Sequence, residues 1–319
     1  LYSSNRQHRS RWAAALAILV VFLGFGPRTV GAQESAPAAF DGERALELVV
    51  TQCELGSREP GSPGNRRLRE LIGEMARDRG FAVWNHCFAA VSPLTGAEVE
   101  LCNVVVSIGP AGGKRWWLGA HYDTRPVSDR DPDAARRSEP LVGANDGASG
   151  VAVLLHLMEV LAVEPPAAGV DLIFFDGEDS GTSGDPLGFC LGSRQLAAVC
   201  RDFGNPLAQG EPRGLIVVDM VGEAGLAIPR EAYSQTYAPA LTSRVFARAA
   251  ELGLDVLVDE PGPAVYDDHV PFLQQGIPAV DLIDFDFPHW HTTGDTPAVC
   301  SARSLGQVGR LLLDLIHRP

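Results

Sequence analysis

The residues of this 319-residue chain best suited to chemistry are acids and histidines that close short apolar runs. His121 and Asp123 follow Trp116–Ala120, and Asp176, Glu178 and Asp179 follow Val170–Phe175. Asp219 follows Leu215–Val218, and Asp284 and Asp286 follow Ala279–Ile283. His121 and Asp123 lie two apart, so they share one side of an extended strand end. Both can face one ion, or Asp123 can orient the His121 ring as an outer partner; a histidine simply satisfied at the rim is the plain alternative. Asp146, in Gly143-Ala-Asn-Asp-Gly-Ala-Ser-Gly, precedes a helical pattern, so an N-cap role competes with a ligand role. The adjacent carboxylates Glu178 and Asp179 repel, and repulsion plus desolvation raises one pKa unless a cation compensates. Such a pair suits a metal ligand beside a general base, against the alternative of a solvated acidic turn. Asp219, ending so apolar a run, needs a partner. His291 stands in Pro288-His-Trp-His-Thr-Thr-Gly-Asp with His289 as its rival two residues away.

Two histidines with several carboxylates, and no cysteines spaced as in a zinc finger, make a nitrogen and oxygen donor set suited to catalytic zinc. Magnesium usually comes with a phosphate-cradling glycine loop, which the sequence lacks. The absence of a Gly-x-Ser-x-Gly elbow disfavours a serine hydrolase, and Lys114 is the only lysine. With 26 basic and 40 acidic side chains the net charge is -14, which argues against nucleic acid or an anionic membrane as partner.

These groups need a scaffold that brings strand ends to one rim. At 45% hydrophobic and 21% charged the composition is globular, and residues 40–319 contain no repeat or low-complexity linker. Leu68, Leu71, Ile72 and Met75 recur with helical spacing, and Gly80 is placed to end that helix. Segments 81–90 and 99–107 read as a hairpin around Ser92-Pro-Leu-Thr-Gly. The four apolar runs read as central strands, with helical patterns at 148–162, 190–200, 239–252 and 302–317. Pro- and Gly-rich segments 124–144 and 179–189 read as long surface loops. The expected fold is a single three-layer α/β domain with a mixed, largely parallel central sheet and helices on both faces. Ligands of such sheets bind outside the carboxyl ends of the strands, where the acids and histidines fall.

Residues 1–32 read as a cleaved signal peptide: Arg6, Arg9 and Arg11, then an apolar run from Ala13 to Phe25, then Val30-Gly-Ala. The start at Leu1 reads as a truncated or alternative one. Residues 33–39 are expected to be a disordered mature N-terminus and 40–319 the catalytic domain, exported to the periplasm or medium and free of the membrane after cleavage. Six cysteines in an exported chain permit disulfides. Cys87 and Cys102 are equidistant from the hairpin centre and could face each other, two free buried thiols being the alternative.

His121-Tyr-Asp-Thr, Asn145-Asp-Gly-Ala-Ser-Gly, Phe174-Phe-Asp-Gly-Glu-Asp, Val218-Asp-Met-Val-Gly and Trp290-His-Thr resemble the motifs of the zinc aminopeptidase superfamily, in order and spacing, over residues 40–319. Asp267-Asp-His-Val-Pro-Phe, Leu191-Gly-Ser-Arg and the Trp290 before His291 resemble its glutaminyl cyclase branch, in a bacterial type. The resemblance implies zinc held by Asp146, Asp179 and His291, with Glu178 as proton carrier. It implies Trp290 as a wall of the substrate site and Asp267 as the holder of the substrate amine within an acid network that includes Asp219. His121 and Asp219 match the ligands with which the aminopeptidases hold a second zinc. Asp179 replaces the Glu usual in animal cyclases, and Asp281 replaces a His of their acid network. The loop 179–189 lacks their aromatic lid residue, leaving Phe189 as the nearest substitute. The implied function is conversion of an N-terminal Gln of a peptide with a free N-terminus to pyroglutamate, and the rival is a zinc aminopeptidase using the same Glu178.

Overall fold

The computed structural model describes residues 39–182 and 184–318; the signal segment expected over 1–32 and nearly all of the 33–39 tail lie outside them. The described chain runs α1 (Gly42–Cys53), α2 (Pro63–Asp78), β1 (Ala82–Val91), β2 (Glu98–Ile108), β3 (Lys114–His121), α3 (Ala148–Val163), β4 (Val170–Phe175) and α4 (Leu191–Val199). It continues through β5 (Glu211–Asp219), β6 (Ile228–Arg230), α5 (Ala232–Tyr237), α6 (Pro239–Glu251), β7 (Leu257–Pro261), α7 (His269–Gln274), β8 (Ala279–Ile283) and α8 (Ala302–His317). Every strand and helix expected from the sequence is among these.

Helix starts follow local chemistry. Asp41 accepts the amides of Glu43 and Arg44 to open α1. Ser62 caps α2, and Pro63 takes the first helical position, where its missing N–H has no partner to lose. Gly80, at φ +74°, carries the chain out of α2 into β1. The hairpin register sets Cys87 opposite Cys102, and the two are joined by a disulfide with Cα atoms 4.0 Å apart.

Six strands form one sheet in the order β1-β2-β4-β3-β5-β8. β3 pairs in parallel with β4 and β5, and β5 with β8, whereas β1–β2 and β2–β4 are antiparallel. The fold is thus a single α/β domain with a mixed, largely parallel sheet. Adjacent residues of β3 point to opposite faces. Trp116 enters a core with the all-round apolar α3 and with α1 and α8, while Trp117 packs with Leu196 of α4 and Phe272 of α7. Helices therefore cover both faces, and His121 and the rim acids Asp179 and Asp219 emerge at the strand ends, while Asp281 stays buried within β8. From the central β3 the chain passes to β4 on one side and then to β5 on the other, which opens a crevice at the carboxyl ends.

The segments expected as surface loops are only partly so. Arg125, Ser128 and Asp131 are buried, as are Asp179 and Ser180, and among the described residues of the second segment only 184–187 are exposed. The physical reason is that polar residues in these loops bond one another and the strand ends. The elements α1, α5, α7, β6 and β7 go beyond the sequence expectation.

Candidate functional site

Three parallel strands deliver the central groups. β3 ends at His121, β4 ends at Phe175 and is followed by Asp176, Glu178 and Asp179, and β5 ends at Asp219. Gly177, in the left-handed region at φ +73°, turns the chain so that the amides of Glu178 and Asp179 meet the two Asp123 oxygens at 3.0 and 3.2 Å. Asp123 is fully buried and fixes both residues by their backbone. Gly147 passes beneath His121 at φ +89°, where a Cβ would lie 2.9 Å from the imidazole Cε1, so only glycine suits this approach. Asp146 is held from behind, because Asp295 accepts the amides of Asn145 and Asp146 at 2.8 and 3.0 Å. Burial, together with the charge of Asp146, pushes the Asp295 carboxyl up to about 7.

Two three-residue donor sets meet at Asp146. In one, His121 Nε2 lies 3.2 Å from Asp146 Oδ1 and 3.1 Å from Asp219 Oδ1. In the other, His291 Nε2 lies 3.2 Å from Asp179 Oδ1 and 3.8 Å from Asp146 Oδ2. Within each set the donor atoms lie within 4.8 Å of one another, and all five residues are buried. His291 adopts a left-handed backbone at φ +55°, a conformation that costs about 1–3 kcal/mol for a non-glycine residue and clusters at functional sites. His289, its rival by sequence, is exposed and packs its ring on Phe287.

The donor chemistry fits zinc. Asp146 Oδ2 and Asp179 Oδ2 are buried without a hydrogen-bond partner, and an orphaned buried acceptor costs about 1–3 kcal/mol or more when charged. A cation among these oxygen and nitrogen donors relieves that cost. Burial works to lower the His291 pKa, yet the Asp179 charge and the bonds to Asp129 and Asp179 carry it up to about 9. His121 behaves alike: its burial opposes protonation, and Asp219, Asp123 and Asp146 outweigh it. Zinc ligation must displace such protons.

Arg125 and Asp129 belong to this site although sequence reasoning assigned them to a surface loop. Arg125 grips Asp179 Oδ1 at 3.1 Å and both Asp129 oxygens at 2.8 and 2.9 Å. Asp129 in turn lies 3.4 Å from His291 Nδ1, so it fixes which ring nitrogen faces Asp179. Their only sequence signal is the Arg-x-x-x-Asp spacing.

Beside the donor sets, Glu178, Cys190 and Asp267 form a buried cluster. The Cys190 thiol donates to Glu178 Oε1 at 3.4 Å. Burial, with the nearby charges of Asp267, Asp179 and Asp268, raises the Glu178 pKa well above the usual carboxylate range. Burial and Asp219 push Asp267 up to about 6. Behind Asp267 lie Asp268, Asp281 and His269, all fully buried, and His269 Nε2 meets Glu231 Oε2 at 3.1 Å. Glu231, unrecognised in the sequence, also accepts the amides of Tyr233, Ser234 and Val265. The cluster opens into a cavity of about 350 Å³ whose walls include Phe189, Val265, Phe285 and Trp290. Trp290 lies tilted beside His291, the ring centroids 4.1 Å apart, and the Arg130 guanidinium lies 4.3 Å over the Trp290 ring.

Not every acid at a strand end joins. Asp176 turns away to accept from Asn65, the Cys102 amide and the Tyr122 hydroxyl at 2.8–2.9 Å, and so ties β4 to α2 and β2. Asp284 accepts the nearby Asp286 amide and the distant Ala227 amide, and Asp286 is exposed.

The profile of peptidase family M28 matches residues 103–316. A glutaminyl-peptide cyclotransferase-like protein of Mus musculus is 29% identical over 307 residues, covering 85% of this chain and 77% of that protein. A crystal structure of Bacteroides thetaiotaomicron glutaminyl cyclase bound to N-acetylhistamine superimposes with TM-score 0.83 at 30% identity, over 89% of this chain and 100% of that one. A leucine aminopeptidase precursor from the same species gives TM-score 0.83 and 30% identity, over 89% and 99%.

Proposed function

The chain belongs to peptidase family M28 and is an enzyme, and we propose that it is an exported, zinc-dependent glutaminyl-peptide cyclotransferase. It converts the N-terminal Gln of a peptide with a free N-terminus to pyroglutamate and releases ammonia. The observation that carries this reading is the pairing of Glu178 with Asp267 in a cavity that Trp290 also lines. Similarity to glutaminyl-peptide cyclotransferases and to a crystallised glutaminyl cyclase supports it.

Asp146, Asp179 and His291 hold zinc in this reading. When bound, zinc supplies Lewis-acid polarisation of the substrate's γ-amide carbonyl. Asp267 holds the α-amine and Trp290 packs against the substrate side chain. Glu178 accepts a proton from the α-amine as its nitrogen attacks Cδ, the carbonyl carbon of the γ-amide, then passes it to the amide nitrogen that departs from Cδ as ammonia. Its raised pKa suits both halves of that transfer. Because the substrate contains its own nucleophile, the remaining task is to hold a ring-closing conformer and exclude water. Asp123 and Asp281 act behind these groups, the first on the backbone of Glu178 and Asp179, the second beside Asp267.

A second reading, a zinc aminopeptidase in which Glu178 activates a water, is favoured by one observation: His121, Asp146 and Asp219 complete another three-donor set. Product analysis separates the two. Gln-peptides yield pyroglutamyl peptides and ammonia with one zinc per chain, whereas free N-terminal amino acids with two zincs would establish the aminopeptidase. Export through cleavage after Ala32, leaving 33–39 as a tail before the catalytic domain, is part of the proposal. The Cys87–Cys102 disulfide supports an oxidising compartment, and N-terminal sequencing of exported protein tests it.

A further inference from the structure

A second cavity, of about 320 Å³, lies between α5 and α7 and is lined by Tyr233, Tyr237, Tyr266, Val270, Leu273 and Gln274. It holds no charged side chain, in a chain whose net charge is -14. Three of the chain's five tyrosines are gathered here. Tyr233 and Tyr237, one helical turn apart, stack with ring centroids 6.3 Å apart, and Tyr237 is 66% exposed. Tyr266 lines this groove and the catalytic cavity alike, so the two adjoin at one side chain.

We infer that this groove is a subsite for the residues that follow the N-terminal one in a peptide substrate, and that it selects apolar and aromatic side chains there. The inference rests on the reading of the catalytic cavity as the seat of a peptide N-terminus. A substrate whose first residue lies between Glu178 and Trp290 must leave by the cavity mouth, and Tyr266 forms part of that wall. An extended chain advances about 3.3–3.6 Å per residue, so the second to fourth residues come within reach of the tyrosines. Rigid aromatic rings with a polar tip give contact area at low entropic cost. The absence of charge from the lining disfavours acidic or basic side chains, whose desolvation would go uncompensated. The groove is too small for a protein surface and fits a few side chains.

Two measurements on the zinc-loaded protein test this. Affinity for the product-like peptide pyroglutamyl-Ala-Phe-Phe-amide, measured by calorimetry, should exceed that for pyroglutamyl-Ala-amide by roughly tenfold, the scale of one buried aromatic contact. Tyr237→Ala should erase most of that difference, Tyr237→Phe should keep it, and Tyr237→Asp should erase it and disfavour the longer peptide. In turnover, Tyr237→Ala should raise KM for Gln-Ala-Phe-Phe-amide about fivefold or more while kcat, and both constants for Gln-Ala-amide, stay unchanged. Equal affinities of the wild type for both products, or a difference that survives Tyr237→Ala and Tyr237→Asp, would overturn the subsite even if Gln-peptides are cyclised. A length-dependent affinity lost in Tyr237→Ala, without pyroglutamate or ammonia from any Gln-peptide, would uphold the subsite and refute the cyclase reading.

Discussion

Glu231→Gln is expected to destabilise the protein far more than its conservative shape suggests. Glu231 is only 1% exposed, and five donors converge on its carboxylate. Oε1 accepts the amides of Tyr233 and Val265 at 2.8 and 3.0 Å. Oε2 accepts the Ser234 amide, the Ser234 hydroxyl and His269 Nε2 at 2.6, 2.7 and 3.1 Å. Glutamine keeps one acceptor and turns an NH₂ toward at least two of those donors. Hydrogen bonds to a charged group are worth about 1.5–3 kcal/mol each, so losing two costs roughly 3–6 kcal/mol.

The pKa shift that these bonds produce gives a second figure. Burial works to raise the Glu231 pKa, but the bond and charge of His269 and the amides of Ser234 and Tyr233 bring it down to about 2. Against an unfolded value of about 4.3, that shift corresponds to roughly 3 kcal/mol. A depressed carboxylate pKa gives stability that is complete above the unfolded pKa and is lost as pH falls toward the folded one. The gap between wild type and Glu231→Gln should therefore be largest near neutrality and shrink as pH falls below about 4.3. Urea unfolding followed by tryptophan fluorescence measures it, with chelator present throughout so that metal loss adds nothing to either protein. A gap under about 1 kcal/mol at neutral pH, or one that does not narrow in acid, would refute the reasoning. Because Glu231 bonds the Val265 amide and His269, a large loss also means that the wall carrying Asp267 depends on this one carboxylate.

Glu178→Gln should lower turnover by at least about 10²-fold with zinc content unchanged, while Asp179→Asn should lose zinc first; metal analysis showing the opposite would exchange their roles. His291→Ala should release zinc, and His289→Ala should retain it because that ring is exposed; unchanged zinc in His291→Ala would sink the assignment. Replacing both Cys87 and Cys102 by Ser opens a crosslink of sequence separation 15. The expected loss is about 3 kcal/mol, read from urea midpoints under oxidising conditions, and an unchanged midpoint would mean that the bond does not form.

What the sequence discloses follows where periodicity and strand ends coincide. β3, β4, β5 and β8 each carry a short, mostly apolar run, broken only by Asp171 in β4 and Asp281 in β8, so their ends, and the acids that close them, are legible without coordinates. α5 and α7 are six residues each and β6 is three, too short for a hydrophobic period to register. In α1 the buried positions Ala45, Leu48, Val49 and Gln52 have helical spacing, but the polar Gln52, bonded to Leu48 and Ala148 carbonyls, breaks the apolar pattern. Arg125, Asp129 and Asp295 sit in segments without any period, and their roles come from partners up to 150 residues away in sequence. The buried partner of a lone loop acid is a tertiary fact. Asp176 and Asp284 show the converse, since a carboxylate at a strand end can equally serve backbone amides.

The clamp of Asp295 on the Asp146 amide has a consequence for the order in which the protein matures. The segment that brings His291 and Asp295 follows every strand of the sheet. It is fastened to the 128–131 turn by the Arg130 amide on the His291 carbonyl and by Thr293 on Asp131. A nascent chain emerging N-terminus first thus carries His121, Asp146, Asp179 and Asp219 well before the groups that complete the centre exist. Until that last segment docks, Asp146 lacks its clamp and Asp179 lacks its imidazole neighbour, so the donor set of Asp146, Asp179 and His291 is complete only at the end of synthesis. A chain cut short before residue 291 would lack α8 as well, whose Leu305, Val308, Leu311 and Leu312 belong to the main core, so one last stretch of sequence completes both the core and the site.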